Sequence, residues 1–212
     1  MTGSAQTSSA KDKTLFTPGP LTTSRTVKQA MARDLGSRDV TFIQTVRHIR
    51  ARLLAVAGVS RETGYEAVLM QGSGTFGLES VIGSTVPPDG KLLVIINGAY
   101  GDRIAGIARV LNIDTTTLEY PASTLPAAAD VDRMLTEDHA ITNVAVVHCE
   151  TTTGIINPIE EIGQAVKQHG QSYFVDSMSA FGAVAFDMEW CLCLGTRPLD
   201  NLARRRPESV RR

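Results

Sequence analysis

Net charge, long apolar runs and cysteine are all scarce in this chain. Its 21 Lys plus Arg stand against 22 Asp plus Glu, a formal charge of −1, so bulk electrostatics draws it neither to nucleic acid nor to an anionic membrane. No run approaches the roughly 18 apolar residues of a membrane span. The three cysteines, Cys149, Cys191 and Cys193, are too few for a disulfide scaffold. Cys191-Leu192-Cys193 has no histidine or further cysteine nearby to complete a metal site, so the thiols read as free, in a reducing compartment. Residues 1–13 are polar and rich in Ser and Thr, without the apolar core of a secretion signal. They read as the disordered leader of a cytoplasmic protein. What remains, 42% hydrophobic and 20% charged over 212 residues, is enough for one domain with a substantial core.

The chain is organised around a glycine turn, Met70-Gln71-Gly72-Ser73-Gly74-Thr75. An apolar run, Tyr65 to Leu69, precedes it and reads as a buried strand; Phe76, Leu78, Val81 and Ile82 follow at helical spacing. A turn of this kind, feeding a helix, lets backbone approach a ligand and aims free N–H groups at an anion such as phosphate. Gly72, Gly74 and Gly77 also fit a dinucleotide fingerprint, which expects an acidic residue at the end of the next strand. That strand, Lys91 to Ile96, ends in Asn97, which argues against a dinucleotide.

Before the turn, Ser24 is placed to cap a helix carrying Val27, Ala30 and Met31, and an amphipathic helix runs from Phe42 to Ala57 with Gly58 as its stop. His48 and the arginines at 47, 50, 52 and 61 read as a solvated face. Beyond the turn, strands and helices alternate: strands at 91–96, 115–120, 143–148 and 172–175, helices near 100–111, 128–138 and 158–169, the last with Pro158 at its first position. The fold class is therefore α/β, a mostly parallel sheet with helices on both faces. In such sheets ligands gather beyond the carboxyl ends of strands. Four segments fall there: residues 71–75, 97–103, 149–154 and 176–179. Together they offer a phosphate cradle, an aromatic ring at Tyr100, hydroxyls at Thr151, Thr152 and Thr153, and a carboxylate at Asp176. That set suits an aromatic cofactor with a phosphate arm, the ring stacked on Tyr100 and its nitrogen held protonated by Asp176.

At these residues the sequence resembles the class V, fold-type I aminotransferases that use pyridoxal 5′-phosphate, and within them the branch that moves an amino group from 2-aminoethylphosphonate to pyruvate. Five segments carry the resemblance, in the family's order between residues 14 and 188: Thr17-Pro18-Gly19-Pro20-Leu21-Thr22-Thr23-Ser24, Gln71-Gly72-Ser73-Gly74-Thr75, Asn97-Gly98-Ala99-Tyr100-Gly101, His148-Cys149-Glu150-Thr151-Thr152-Thr153-Gly154 and Val175-Asp176-Ser177-Met178-Ser179. The resemblance implies that Ser73, Gly74 and Thr75 hold the cofactor phosphate. It implies that Tyr100 stacks on the ring, that Thr151 sits near the ring oxygen and that Asp176 partners the ring nitrogen. The loop containing Gly19 would line the substrate pocket. It further implies a large domain of the pyridoxal-phosphate transferase type, a homodimer, and products phosphonoacetaldehyde and L-alanine. Alanine:glyoxylate and serine:pyruvate amino transfer are the sister activities; a non-catalytic remnant or partner-binding subunit is the third alternative.

The sequence departs from this pattern at its end. The family anchors its cofactor on a lysine that would stand near position 202; position 202 is Leu202, and no lysine follows Lys167. No catalytic residue is therefore assigned. Residues 189–212 resemble nothing in the family and carry six arginines, which reads as a shifted reading frame replacing the lysine strand and the small C-terminal domain. A basic nucleic-acid tail is the rival reading; no interleaved aromatics support it. On this reading the domain is truncated.

Overall fold

The computed structural model describes residues 13–15 and 22–188, and the backbone of 192–194 and 201–204. The segment containing Gly19, almost all of the expected leader, and most of the residues after 188 lie outside the described residues. Helix α1 (Arg25–Met31) starts where the Ser24 side chain accepts the Val27 N–H, and α2 (Val40–Val56) where Asp39 accepts the Thr41 N–H. These are N-caps that satisfy otherwise unpaired helix donors.

From there the alternation expected from the sequence is present. The order is β1 (Tyr65–Val68), α3 (Gly74–Thr85), β2 (Lys91–Ile96), α4 (Ala99–Val110), β3 (Asp114–Glu119), α5 (Ala128–Glu137), β4 (Ile141–Val147), β5 (Cys149–Glu150), β6 (Ile155–Ile156), α6 (Ile159–Gln168), β7 (Ser172–Asp176), β8 (Leu192–Leu194) and β9 (Asn201–Arg204). Five strands form one sheet in the order β3-β2-β4-β7-β8, every neighbouring pair parallel. β1 instead pairs antiparallel with β9, Val68 opposite Asn201 and Ala67 opposite Leu202. No helix among the described residues is long and apolar enough to cross a membrane.

The side-chain period of two divides the strands between two cores. Leu93, Ile95, Val144, Val146, Tyr173 and Val175 pack on one face against Leu54 of α2, Val131 and Leu135 of α5, and Ile162 and Val166 of α6. Leu92, Val94, Ala145, Val147 and Phe174 face the other way, onto Leu78 and Ile82 of α3 and Ile104, Ala105 and Ala108 of α4. Burying each of the larger of these side chains stabilises the fold by about 1.5–3 kcal/mol.

Four features differ from the sequence-based expectation. Pro158 is the N-cap of α6 rather than its first residue. A small antiparallel hairpin, β5–β6, follows β4. Two short strands, β8 and β9, come from the stretch read as a tail. The arginine face is also only partly solvated: Arg50 and Arg61 bracket the Glu66 carboxylate at 2.8 and 2.9 Å, and Arg50 Nε donates to the Ala67 carbonyl at 2.7 Å.

Candidate active site

The carboxyl ends of β2, β4 and β7 meet at a cleft of about 60 Å³ lined by Tyr100, Val147, Cys149, Thr151, Asp176, Met178 and Ser179. Three of the four expected segments thus converge, and Tyr100, Thr151 and Asp176 share one cavity. Ser73, Gly74 and Thr75 are not among its lining residues. They form the start of α3, where Ser73 Oγ accepts the Phe76 N–H at 3.3 Å, and its hydroxyl hydrogen remains available to a ligand. α3 packs against α4 on the same face of the sheet.

Asp176 ends β7 and is 3% exposed. Burial pushes its carboxyl up to about 6; the Met178 N–H, donating at 3.0 Å, works against this, the Glu150 charge adds to it, and Arg103 opposes it. The bond to Met178 N–H makes Asp176 a cap for the turn after its strand, and the same carboxyl borders the cleft. Beside it, His148 is buried with Nδ1 2.9 Å from Ser177 Oγ and its ring edge-on to Phe186. Burial lowers its pKa, against the pull of Glu160, so the imidazole is neutral at pH 7. Ser179 Oγ donates to the Cys149 carbonyl at 2.7 Å, tying the segment after β7 to β5, which leads into the turn carrying Thr151.

Tyr100 lies in the first turn of α4, with the Arg103 guanidinium 4.9 Å from its ring centre. Two glycines place it. At Gly101 a Cβ would stand 2.9 Å from the Ile95 carbonyl oxygen and 3.0 Å from Ile96 Cα, so its absence lets α4 lie against β2. At Gly98 a Cβ would stand 2.6 Å from the Glu150 carboxyl. Glu150, to which the sequence assigns no separate role, is fully buried and accepts the Gly101 N–H at 2.8 Å and the Tyr100 N–H at 3.3 Å.

Asn97, where a dinucleotide site would want an acid, is committed elsewhere. Its side chain and that of buried Asn157 exchange hydrogen bonds at 2.7 and 3.1 Å, while Asn97 Nδ2 also reaches the Thr124 carbonyl and Asn157 Nδ2 the Val147 carbonyl. This amide pair fastens three loops behind the cleft. Glu150 and Asn157 have no local signal, because Glu150 finds its side-chain partners, and Asn157 its amide partner Asn97, about fifty or more positions away; the signal available was a lone acid among hydroxyls in Cys149-Glu150-Thr151.

Residues 23–193 match the model of the aminotransferase class-V family. A 2-aminoethylphosphonate–pyruvate transaminase of Pseudomonas putida strain F1 is 50% identical over 173 residues, 82% of this chain and 46% of the relative. One from Syntrophobacter fumaroxidans is 51% identical over 174 residues, again 82% and 46%. The chain therefore spans about half the length of the curated relatives it matches. Among solved structures, pyridoxamine–pyruvate aminotransferase from Mesorhizobium loti superposes with a TM-score of 0.78 at 26% identity, covering 91% of this chain and 51% of that one. Alanine–glyoxylate aminotransferase from Nostoc sp. gives 0.77 at 25%, covering 92% and 53%.

Proposed function

The chain belongs to the class-V aminotransferase family, and from that premise we propose that it forms the cofactor-binding part of a 2-aminoethylphosphonate–pyruvate transaminase, able to hold pyridoxal 5′-phosphate without a covalent link. The observation that carries the substrate choice is the half-identity to relatives of that name across most of this chain. The donor set fits the cofactor. A buried carboxyl held at about 6 gains from a cationic ring nitrogen; Tyr100 offers a ring face and Thr151 a hydroxyl in the same cleft. In this reading the start of α3, with Ser73, Gly74 and Thr75, receives the phosphate on its free N–H groups and hydroxyls. When bound, the cofactor supplies an aldehyde and an electron-withdrawing ring, the chemistry amino transfer needs.

The protein's own contribution is binding and orientation: Asp176 fixes the ring nitrogen, Tyr100 the ring plane, Thr151 the ring oxygen. Proton movement is what it lacks. The backbone of β9 sets position 202 opposite Ala67, beside the end of β1 that leads into the Ser73 turn, and that position is Leu202. With no lysine after Lys167, this chain has no amine there to carry a proton between cofactor and substrate. The setting is a homodimer, as the family resemblance implies, in the cytoplasm, as the polar leader suggests.

A chimera tests it. Residues 1–193 joined to the C-terminal portion of the Pseudomonas putida relative, which would supply the missing part, are expected to make alanine from 2-aminoethylphosphonate and pyruvate, while the 212-residue chain alone makes none. A chimera that ignores the phosphonate amine but transaminates alanine with glyoxylate contradicts the substrate assignment. Turnover by the chain alone contradicts the mechanism.

A further inference from the structure

Among the described residues, Glu150 is a fully buried carboxylate beside the cleft to which amino transfer gives no task. Its surroundings are built for it. Gly98, the N-cap of α4, makes no side-chain cap bond, and the space its missing Cβ leaves is filled by the Glu150 carboxyl. The cap comes instead from β5: Oε1 takes the Gly101 N–H at 2.8 Å and Oε2 the Tyr100 N–H at 3.3 Å. A buried carboxylate is tolerated when fixed donors and a helix N-terminus compensate it, and both are present here.

We propose that Glu150 is a positioning residue of the cofactor site: its carboxylate locks the start of α4, and with it the Tyr100 ring, and its negative charge is felt at Asp176. The inference rests on the reading of the cleft as a pyridoxal-phosphate site. Two charged groups bear on Asp176, Glu150 from β5, which raises its pKa, and Arg103 from α4, which lowers it. His148, at the end of β4, turns its Nδ1 to Ser177 instead and is neutral. Glu150 is thus the fixed negative charge that a protonated ring nitrogen held by Asp176 would also feel.

The test begins without ligand, on the 212-residue chain, by carbon NMR titration of Asp176 and amide exchange at Tyr100 and Gly101. Glu150→Gln is expected to lower the Asp176 midpoint by about half a pH unit or more and to speed Gly101 exchange about tenfold or more. Glu150→Asp keeps a charge but falls a methylene short, so exchange quickens while the midpoint stays nearer wild type. Gly98→Ala, which leaves Glu150 in place and pushes its carboxyl off the helix start, is expected to give the same loss of protection should the Glu150 variants fail to fold. An unchanged midpoint with Glu150→Gln, or unchanged exchange in both Glu150→Gln and Gly98→Ala, overturns the proposal. Pyridoxal 5′-phosphate binding is the separate readout. Wild type that binds none contradicts the cofactor reading. Wild type that binds, with Glu150→Gln binding equally well from about pH 5 to 8, contradicts the role of Glu150 alone.

Discussion

A carboxyl held at about 6 inside a folded protein makes stability and ligand binding answer pH in opposite directions. Asp176 has its folded pKa above the ordinary 3.8. Between those values the folded state therefore holds more protons than the unfolded one, and stability falls as pH rises through that window. The gap corresponds to on the order of 3 kcal/mol. Asp176→Asn, which keeps an acceptor for the Met178 N–H, is expected to raise the unfolding free energy by up to about that amount above pH 6 and to change it little near pH 4; urea titrations at the two pH values check this. The same substitution is expected to weaken pyridoxal 5′-phosphate binding tenfold or more at neutral pH. Asn157→Ala is the contrasting case. It takes away the donor to the buried Asn97 Oδ1, at an expected cost of about 1–3 kcal/mol at any pH.

The start of α4 is where the element scale decides the site, because three chain segments meet in its first turn. Gly101→Ala would press a Cβ on backbone atoms of β2, which have no side-chain freedom to yield. An expected loss of about 1–3 kcal/mol follows, together with weaker cofactor binding as Tyr100 shifts. Gly106→Ala, one turn further along, meets nothing within 4 Å, and the better helix propensity of Ala is expected to leave it neutral or up to about 1 kcal/mol more stable. Thermal unfolding of the pair separates packing from propensity. The helices and long strands were legible in the sequence, since the cap at Ser24, the stop at Gly58 and runs such as Leu92 to Ile96 announce themselves within a few residues. β5, β6, β8 and β9 were not, being two to four residues long, too short to show a period of two. At the cleft, Tyr100, Thr151 and Asp176 were readable because strand ends are where parallel sheets gather ligands; Glu150 was not, because its partners sit on another element.

For the whole molecule, alternation of strands and helices was enough to give the parallel sheet, but not its incomplete covering. α1 buries none of its residues, and Met31, Val40 and Val110 are 79%, 67% and 78% exposed. With Val27, Phe42 and Ile43 also exposed, the first two helices present apolar surface of the kind that drives association. The chain is expected to self-associate at micromolar concentration in sedimentation velocity, and a monodisperse monomer there contradicts this. As proposed, the fold carries a cofactor cleft without the lysine that would turn it over. The direct measurement is equilibrium dialysis of pyridoxal 5′-phosphate against the 212-residue chain from about pH 5 to 7.5, with alanine formation followed in the same samples and Asp176→Asn as control for the ligand's own phosphate titration. One saturable site, released on exhaustive dialysis, tighter as pH rises through about 6 and silent for alanine, is the predicted result. Absence of saturable binding, or a pH response that survives Asp176→Asn unchanged, contradicts it.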